Sequence, residues 1–264
     1  MLVTSTSCKL SYNLSSVILR VTTAVRPRVA PKASSGKFPL IGNHRCLDFV
    51  NTELIEQGRR VDRLQDFADL VGWLEQAQVL SVAQAKQILR RWGQTSKGAG
   101  ALSEARAFRR LLREMAEGIV HGKRPSALVL NKINALLRYR TVDVALVRTR
   151  HGFERRVSFQ PRDPIHLLVP VAESASDLLC HGDLSLILKC ENPRCILYFY
   201  DATKNRARRW CSMTVCGNRM KVAAHYRRRR RVREHKPDGG RSRASHGSQT
   251  KSSEARSGRG RSGA

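Results

Sequence analysis

Four of the seven cysteines fall into two short pairs, and this spacing constrains the fold more than any other feature of the sequence. Cys190 and Cys195 form one C-x4-C pair, Cys211 and Cys216 form a second, and fifteen residues lie between the pairs. Four thiolates in two such pairs match the tetrahedral ligand set of a structural Zn²⁺. Cationic neighbours favour the thiolate form that a metal requires, and these are Lys189, Arg194, Arg209 and Arg219. The spacing predicts one structural zinc ion.

Two other uses of these cysteines fit the sequence less well. Disulfides need an oxidising compartment, and the chain carries no secretory signal. A catalytic thiol needs a base close by, and His225 is the only candidate in the same segment. Cys8, Cys46 and Cys180 share no such spacing. We interpret the first as part of a leader and the other two as small buried apolar groups.

The charge of the chain points to a polyanionic partner. The formal net charge is +28, and residues 189–264 hold 21 Lys/Arg against five Asp/Glu. Such an excess is larger than solubility requires, which makes nucleic acid the first candidate. No apolar run is long enough to cross a bilayer. We therefore expect an intracellular protein, cytoplasmic and nucleoid-associated, with no membrane partner.

Both ends of the chain have compositions typical of disorder. Residues 1–37 are basic, lack acidic side chains and are rich in Ser, Thr and Val, while the tail from residue 234 to 264 is mostly Ser, Gly, Arg and Lys. The tail has too few apolar side chains to fold alone. The leader also has the composition of an organellar transit peptide, although a dispensable extension or an early start codon is the preferred interpretation.

Between these ends the apolar pattern is mainly helical. Apolar side chains recur at helical spacing over residues 66–77, which predicts an amphipathic helix. A capping box formed by Ser81 and Gln84 begins a second helix. The glycines at 96–100 are expected to end it. Apolar spacing over residues 105–119 predicts a long third helix.

The pattern then changes to strands and back. Ser126, after a proline, is expected to cap a fourth helix that ends near Arg140. Alternating apolar residues from Val142, followed by His-Gly at 151–152, predict a β-hairpin. Residues 164–182 are apolar and are expected to be helical in their later part.

A basic helix is expected after the last cysteine. Gly217 suits a tight turn and Asn218 suits an N-cap. Five consecutive arginines, Arg227–Arg231, are too many to pair internally, so phosphate contact is favoured over a merely solvated face. Tyr198 and Tyr200 have the chemistry to stack on bases, but packing around the metal is ranked first.

The cysteine region resembles a known family. The string "CENPRCILYFYDATKNRARRWCSMTVCGNRMKVAAHYRRR" is similar to the CGNR zinc finger, named for the Cys-Gly-Asn-Arg sequence present here at 216–219. Upstream, "FPLIGNHRCLDFVNTE" resembles the start of the ABATE domain, which precedes this finger in bacterial proteins classed as stress-induced transcription regulators. The chain departs from that start at one place, where Asn43 follows Gly42 instead of a second glycine.

The resemblance implies a fold and a domain order. The fold is expected to be α+β, with a mainly helical N-terminal domain that contains a β-hairpin, then a small, treble-knuckle-like zinc finger with four cysteine ligands and a basic helix. The expected order along the chain is a disordered leader (1–37), an ABATE-like regulatory or sensor domain (38–183), the zinc finger (184–233) and a disordered basic tail (234–264). By the resemblance, the four paired cysteines are the zinc ligands and the segment after them is the DNA-binding element.

The residues expected to contact nucleic acid are the cations in and after the finger: Lys204, Arg206, Arg208, Arg209, Arg219, Lys221, Arg227, Arg228, Arg229, Arg230 and Arg231. Among them, Arg206 and Arg219 are preferred for defined contacts, because guanidinium binds guanine or phosphate in a bidentate way. Asp48, Asn51 and Thr52 are candidate lining residues of an effector pocket. A structural role for these three, in capping a helix or closing a turn, is favoured.

The function implied is that of a zinc-finger transcription regulator that binds double-stranded DNA and responds to stress or to an unidentified small molecule. Two alternatives stay open: an RNA-binding or ribosome-associated protein, and a zinc-held protein-interaction module. An enzyme is the least expected class, because the sequence shows no paired carboxylates, nucleophile–base set or phosphate-binding glycine loop.

Overall fold

The computed structural model describes residues 36–140, 142–150 and 152–234, so all of the expected tail except Glu234, and all of the leader except Gly36 and Lys37, lie outside the described residues. The helices are α1 (Arg45–Val50), α2 (Phe67–Gln76), α3 (Val82–Trp92), α4 (Ser96–Val120), α5 (Ala127–Leu137), α6 (Val169–His181) and α7 (Asn218–Glu234). The strands are β1 (Glu53–Glu56), β2 (Arg59–Asp62), β3 (Val142–Thr149), β4 (Gly152–Phe159), β5 (Ile187–Lys189) and β6 (Tyr198–Tyr200). Short 3₁₀ turns occupy Pro164–Leu168 and Leu184–Leu186, and a π-helical turn occupies Met213–Gly217.

The expected α+β architecture is confirmed. The described residues combine helices with three antiparallel two-stranded sheets, β1–β2, β3–β4 and β5–β6. By compactness the chain divides into two units, of which the first runs to Val222 and the second begins at Ala223. The first unit thus contains both the helical region and all four paired cysteines. No helix among the described residues is long and apolar enough to cross a membrane.

Local capping signals fix the helix starts. The capping box of α3 is present, since the Ser81 hydroxyl accepts from the Gln84 amide and the Gln84 side chain accepts from the Ser81 amide. The Ser126 hydroxyl accepts from the Val129 amide and caps α5, as predicted. Each cap satisfies amide groups that the first turn of a helix leaves unpaired.

The prediction that glycines at 96–100 end a helix is wrong. The helix α3 already ends at Trp92, and residues 96–100 form the first turns of α4. The Thr95 hydroxyl accepts from the Gly98 amide at 3.2 Å and caps this new helix. A Cβ at Gly98 would lie 2.2 Å from the Trp92 carbonyl oxygen, so this glycine permits a close approach of backbones.

One continuous core holds the helical region together. The rings of Phe49 and Trp73 pack edge to face with centroids 4.9 Å apart, and Phe108 of α4 is fully buried beside them in the same core. Each such side chain stabilises the fold by about 1.5–3 kcal/mol through burial. Ile187 of β5 and Tyr198 of β6 belong to this core as well. The hairpin beside the cysteines is therefore part of the helical domain's interior.

The β-hairpin predicted from residue 142 onwards is confirmed as β3–β4. The β1–β2 hairpin was not predicted, although its turn carries a recognisable signal. Gln57 and Gly58 both adopt positive φ, at 49° and 81°. Two successive residues with positive φ are typical of the tight turns that connect antiparallel strands.

A buried arginine joins this first hairpin to the helices. The Arg109 guanidinium on α4 donates to both carboxylate oxygens of Asp62, at 2.6 and 2.5 Å, and to the Thr52 hydroxyl at 2.9 Å. Burial of Asp62 opposes its ionisation, but the hydrogen bonds from Arg109 outweigh burial and lower the pKa of Asp62 below its usual range. The pair therefore stabilises the fold in its charged form.

Asp62→Asn should lower the free energy of unfolding at pH 7 by about 1.5–3 kcal/mol, because a charge-assisted pair to a buried arginine is lost. The folded pKa of Asp62 is depressed, so its contribution is present above the unfolded pKa and is lost as the pH falls through the folded pKa. Urea unfolding between pH 7 and pH 3 measures both effects. Glu114→Gln is the control, because it changes an exposed carboxylate on α4, the helix that carries Arg109. Equal stability and equal pH dependence of the two variants would contradict the ion pair between Asp62 and Arg109.

Candidate metal centre and nucleic-acid interface

Two turns bring the four paired cysteines together. Cys190 follows β5, and its amide donates to the Leu197 carbonyl at 3.0 Å, while the Cys195 amide donates to the Asn192 carbonyl at 2.8 Å. Cys216 lies in the π-helical turn, which begins after Ser212, and its amide donates to the Ser212 carbonyl at 3.0 Å. Each C-x4-C pair thus spans one tight turn.

The sulfur positions fit a single tetrahedral metal. The four Sγ atoms lie within 4.8 Å of one another, and the Cys195–Cys211 and Cys211–Cys216 sulfurs are 3.7 and 3.6 Å apart. Ligands placed at a Zn–S distance of about 2.3 Å around a tetrahedral centre would be roughly 3.8 Å apart. Three of the four side chains are buried and Cys195 is half-buried. The predicted site for one structural zinc ion is confirmed by this geometry.

The thiols at the centre compete with one another for ionisation. Hydrogen bonds from the Cys195 and Cys211 thiols lower the pKa of Cys190, whereas the hydrogen bond to Cys190 raises the pKa of Cys195 and of Cys211. One thiolate therefore forms easily at the expense of its neighbours. A bound divalent cation removes this competition, because it attracts all four thiolates at once.

Polar groups around the sulfurs orient them. The Asn192 side-chain amide, which is buried, donates to the Cys216 sulfur at 3.2 Å, and the Cys211 backbone amide donates to the Cys190 sulfur at 3.4 Å. Donors of this kind stabilise the thiolate form and hold metal ligands in place. Asn192 was not singled out in the sequence, although its position inside the first turn is the signal that could have identified it.

The upstream motif is connected directly to the finger. The buried Asn51 side chain donates to the Tyr198 carbonyl at 2.8 Å and accepts from the Tyr198 amide at 2.9 Å. It therefore pairs with the backbone of β6 as a neighbouring strand would. Arg113 on α4 adds a second connection, because its guanidinium donates to the carbonyls of Val50 and Ile196 at 2.7 and 2.8 Å.

The loop before α1 makes a third connection to the finger. The Tyr200 amide donates to the Gly42 carbonyl at 2.9 Å, and the Asn43 side chain donates to the Tyr200 carbonyl at 2.8 Å. Asn43 has φ 62°, a left-handed conformation that asparagine tolerates better than most residues. The departure from a second glycine at this position is therefore compatible with the turn, and it adds a hydrogen bond that glycine lacks.

Tyr198 and Tyr200 have packing roles, as the sequence favours, but they pack with the helical core and not around the metal. Tyr198 is 2% exposed, and its hydroxyl donates to Glu117, which also accepts from Lys189 at 2.9 Å. Burial raises the pKa of Tyr198, and the hydrogen bond from Tyr198 lowers the pKa of Glu117. Tyr200 is half-buried and packs edge to face on His44, with ring centroids 4.8 Å apart.

The three candidate effector residues all make internal hydrogen bonds. Asp48 accepts from the Gly42 amide at 2.7 Å, and the Thr52 hydroxyl donates to the Phe49 carbonyl at 2.8 Å. Asn51 pairs with β6 as described above. These contacts close turns and join elements, which is the structural role favoured from the sequence, and none of the three lines the cavity described next.

An open cavity of about 740 Å³ borders the metal centre. Ile41 and Asn43 of the loop before α1 form one side, and the segments 203–205 and 207–214 of the finger form the other. The lining includes the half-buried Trp210 ring together with Lys204 and Arg209. This cavity was not predicted, because its two sides are more than 150 residues apart in sequence.

The finger cations that were expected to contact nucleic acid differ in their surroundings. Arg208 is half-buried and donates to the carbonyls of Ile41 at 2.8 Å and Cys211 at 2.6 Å, while its guanidinium lies 4.1 Å from the centroid of the Phe199 ring. Burial lowers the pKa of Arg208. The Arg208 guanidinium therefore joins the finger to the loop before α1, and its contact with nucleic acid stays a prediction.

The other cations of the list are exposed. Arg209 pairs with Glu191 at 2.6 Å and Arg206 with Asp183 at 3.4 Å. Both ion pairs are exposed, so they are weak enough to exchange for phosphate contacts. The remaining exposed cations of the list are Lys204 in the finger and, on α7, Arg219, Lys221 and Arg227–Arg231.

Three further predictions from the sequence are wrong. Asn218 is not an N-cap, because the helical path begins earlier at Ser212, whose hydroxyl accepts from the Val215 amide. Gly217 does not make a tight turn; a Cβ there would lie 2.4 Å from the Met213 sulfur, so it permits close packing. Cys180 is exposed, since it lies on the outer side of α6. The prediction for Cys46 is confirmed, and burial raises its pKa to about 12.

Two family profiles match the chain, one over the helical region and one over the cysteine region. The profile of the ABATE family, described as "Putative stress-induced transcription regulator", matches residues 43–182. The profile of the CGNR zinc finger matches residues 187–229. No curated protein matches the chain. The first match covers more than half of the sequence, and the second contains all four cysteines of the metal centre.

Metal analysis of the purified protein should give one zinc per chain. Cys211→Ser and Cys216→Ser, singly or together, should abolish this stoichiometry, because three ligands leave a buried site incomplete. Cys46→Ser and Cys180→Ser are matched controls that should keep the zinc. Loss of zinc in a control, or its retention in the double variant, would show that the ligand set is wrong.

Asn51→Ala should destabilise the protein by about 2–4 kcal/mol, because it leaves the buried amide and carbonyl of Tyr198 without partners. Asn134→Ala, on an exposed face of α5, should change stability by less than about 0.5 kcal/mol. Chemical unfolding of the zinc-loaded proteins measures both. Equal stability of the two variants would mean that Asn51 does not join the finger to α1.

Proposed function

We propose that this chain, which belongs to the ABATE family and carries a CGNR zinc finger, binds double-stranded DNA through the finger and regulates transcription. The observation that carries the proposal is the position of α7, which begins two residues after the last zinc ligand, Cys216. The metal therefore fixes the start of a helix that presents exposed cations. An α-helix of this kind fits the major groove of B-DNA.

The charges along α7 give the interaction its expected strength. Arg219 and Lys221 are exposed at the start of the helix, and Arg227–Arg231 are exposed further along. A protein that makes six to ten phosphate contacts loses roughly 10³–10⁵ in affinity between 50 and 200 mM salt. We therefore expect binding that is tight at low salt and steeply salt-dependent, with Arg219 as the preferred candidate for a base contact.

The cavity beside the metal centre supports a contact within the finger itself. Lys204 and Arg209 lie at a lining that also contains the Trp210 ring. Cations together with an aromatic side chain are the groups that bind phosphate and stack on bases. The exposed ion pair of Arg209 with Glu191 exchanges for a phosphate contact at little cost.

The N-terminal domain is proposed to respond to stress or to a small molecule. The description of the ABATE family supports this role. The internal hydrogen bonds of Asp48, Asn51 and Thr52 argue against a pocket lined by these three residues. The cavity shared by the loop before α1 and the finger is the better candidate for an effector, because a molecule bound there touches both parts and would compete with the nucleic-acid contact proposed for Lys204 and Arg209.

The two alternative functions, RNA binding and protein interaction, fit the geometry less well. The case for RNA relied in part on stacking by Tyr198 and Tyr200, and both rings are packed within the protein. A protein-interaction module would leave the cations of α7 to serve solubility alone. No catalytic step is included in the proposal.

Selection from a random duplex pool with the zinc-loaded chain tests the proposal. We expect enrichment of a defined sequence that is lost in the Cys211→Ser, Cys216→Ser double variant. Structured RNA at matched salt should compete poorly with the selected duplex. Binding without enrichment, or preference for the RNA, would overturn the proposal of a sequence-specific DNA regulator.

The variant in which Arg227–Arg231 are all replaced by Gln should reduce the magnitude of the slope of log K against log salt by about 4–5, if each arginine contacts one phosphate. Fluorescence anisotropy with a labelled duplex measures this slope. An unchanged slope would support the interaction-module alternative, because the arginines would then serve solubility alone.

A further inference from the structure

The β3–β4 hairpin has the features of a second DNA-binding surface. Its strands pair with each other over eight residues each and with no other described strand. A two-stranded ribbon of this length spans roughly 26 Å. An isolated two-stranded hairpin is only marginally stable in water, so a bound partner would stabilise this one.

One face of this ribbon carries exposed apolar side chains. Val144, Leu146 and Phe153 are 58%, 73% and 69% exposed. The register places Arg148 opposite Phe153 and Arg155 opposite Leu146, and because side chains alternate along a strand, all five lie on the same face. Exposed apolar groups clustered in this way mark an interaction site.

Three arginines with described side chains contribute positive charge to the ribbon. Arg148 and Arg155 lie on the apolar face and Arg150 lies in the turn, and all three are exposed. No ion pair joins any of the three to another described residue, and the Arg148 guanidinium lies 5.9 Å from the centroid of the Phe153 ring. The partner of this face must therefore be negatively charged as well as able to accept apolar groups.

A second copy of the chain fits these requirements poorly. A two-fold pairing of the same face would bring Arg148 and Arg155 close to their own counterparts, and like charges across an interface are destabilising. Charged side chains on a ribbon also oppose the edge-to-edge pairing of strands. Duplex DNA fits better, because its phosphates pair with arginine and its major groove admits a two-stranded β-ribbon.

We propose that the β3–β4 ribbon binds in a groove of double-stranded DNA, with Arg148, Arg150 and Arg155 on phosphates and with Leu146 and Phe153 toward the base edges. This site belongs to the helical domain and is separate in sequence from the zinc finger and α7. The apolar side chains contact thymine methyl groups or sugars, where they lose their exposure to water. The inference rests on the proposed function, because it adds a second contact to the same DNA-binding activity.

The test compares two triple variants of the full-length, zinc-loaded chain. R148Q/R150Q/R155Q removes three of the four arginines in the ribbon and its turn, and R90Q/R110Q/R124Q removes three arginines of the helical domain outside the ribbon. Anisotropy with a labelled 30-base-pair duplex is measured across a salt series, and circular dichroism confirms that both variants are folded. The ribbon variant should reduce the magnitude of the slope of log K against log salt by about 2–3, while the control changes it by less than about 1.

A second variant, L146S/F153S, separates the apolar contacts from the charges. It should weaken binding at least tenfold without changing the salt slope, and sedimentation should give the same oligomeric state as the unmodified chain. Equal slopes for the two triple variants, in a protein that itself binds DNA, would overturn the ribbon proposal alone. Conversion of a dimer to a monomer by L146S/F153S with unchanged DNA affinity would overturn it too, since the face would then be a contact between copies. Failure of the unmodified chain to bind DNA would instead contradict the proposed function.

Discussion

The pairing of Asn51 with the backbone of Tyr198 is the interaction on which the arrangement of this protein depends. The buried Asn51 side chain pairs with both the amide and the carbonyl of Tyr198, on the side of β6 that no described strand covers. Arg113 and the loop at Gly42 and Asn43 add further hydrogen bonds between the helical domain and the same hairpin. The hairpin that leads into the zinc ligands is therefore held by the helical domain and contributes to its core.

These contacts extend the stabilising effect of zinc beyond the finger. In a free-standing finger, zinc binding stabilises only the finger, on the order of 10 kcal/mol. Here the strand β6 lies between Asn51 on one side and β5 on the other, and β5 leads directly into Cys190. Loss of zinc is therefore expected to loosen contacts of α1 as well as of the finger. The same contacts connect the helical domain to the start of α7 through the finger.

Local signals were predicted from the sequence and long-range contacts were not. The zinc ligands, the capping box at Ser81 and the hairpin from residue 142 depend on spacing within a few residues, and each is confirmed. The role of Asn51 depends on a residue 147 positions away, and nothing in a single sequence indicates such a partner. Arg208 shows the same limit, since composition places it among the cations, whereas folding places its guanidinium on backbone carbonyls. The glycines at 96–100 show that a residue typical of helix ends also occurs where two backbones approach closely.

Hydrogen exchange with and without zinc is the most direct measurement of the central claim that the finger and the helical domain form one unit. The account predicts that a chelator exposes the amides of α1 and of β6 together, because Asn51 connects them. If only residues 187–217 lose protection while α1 stays protected, the finger is an independent module and the account is contradicted.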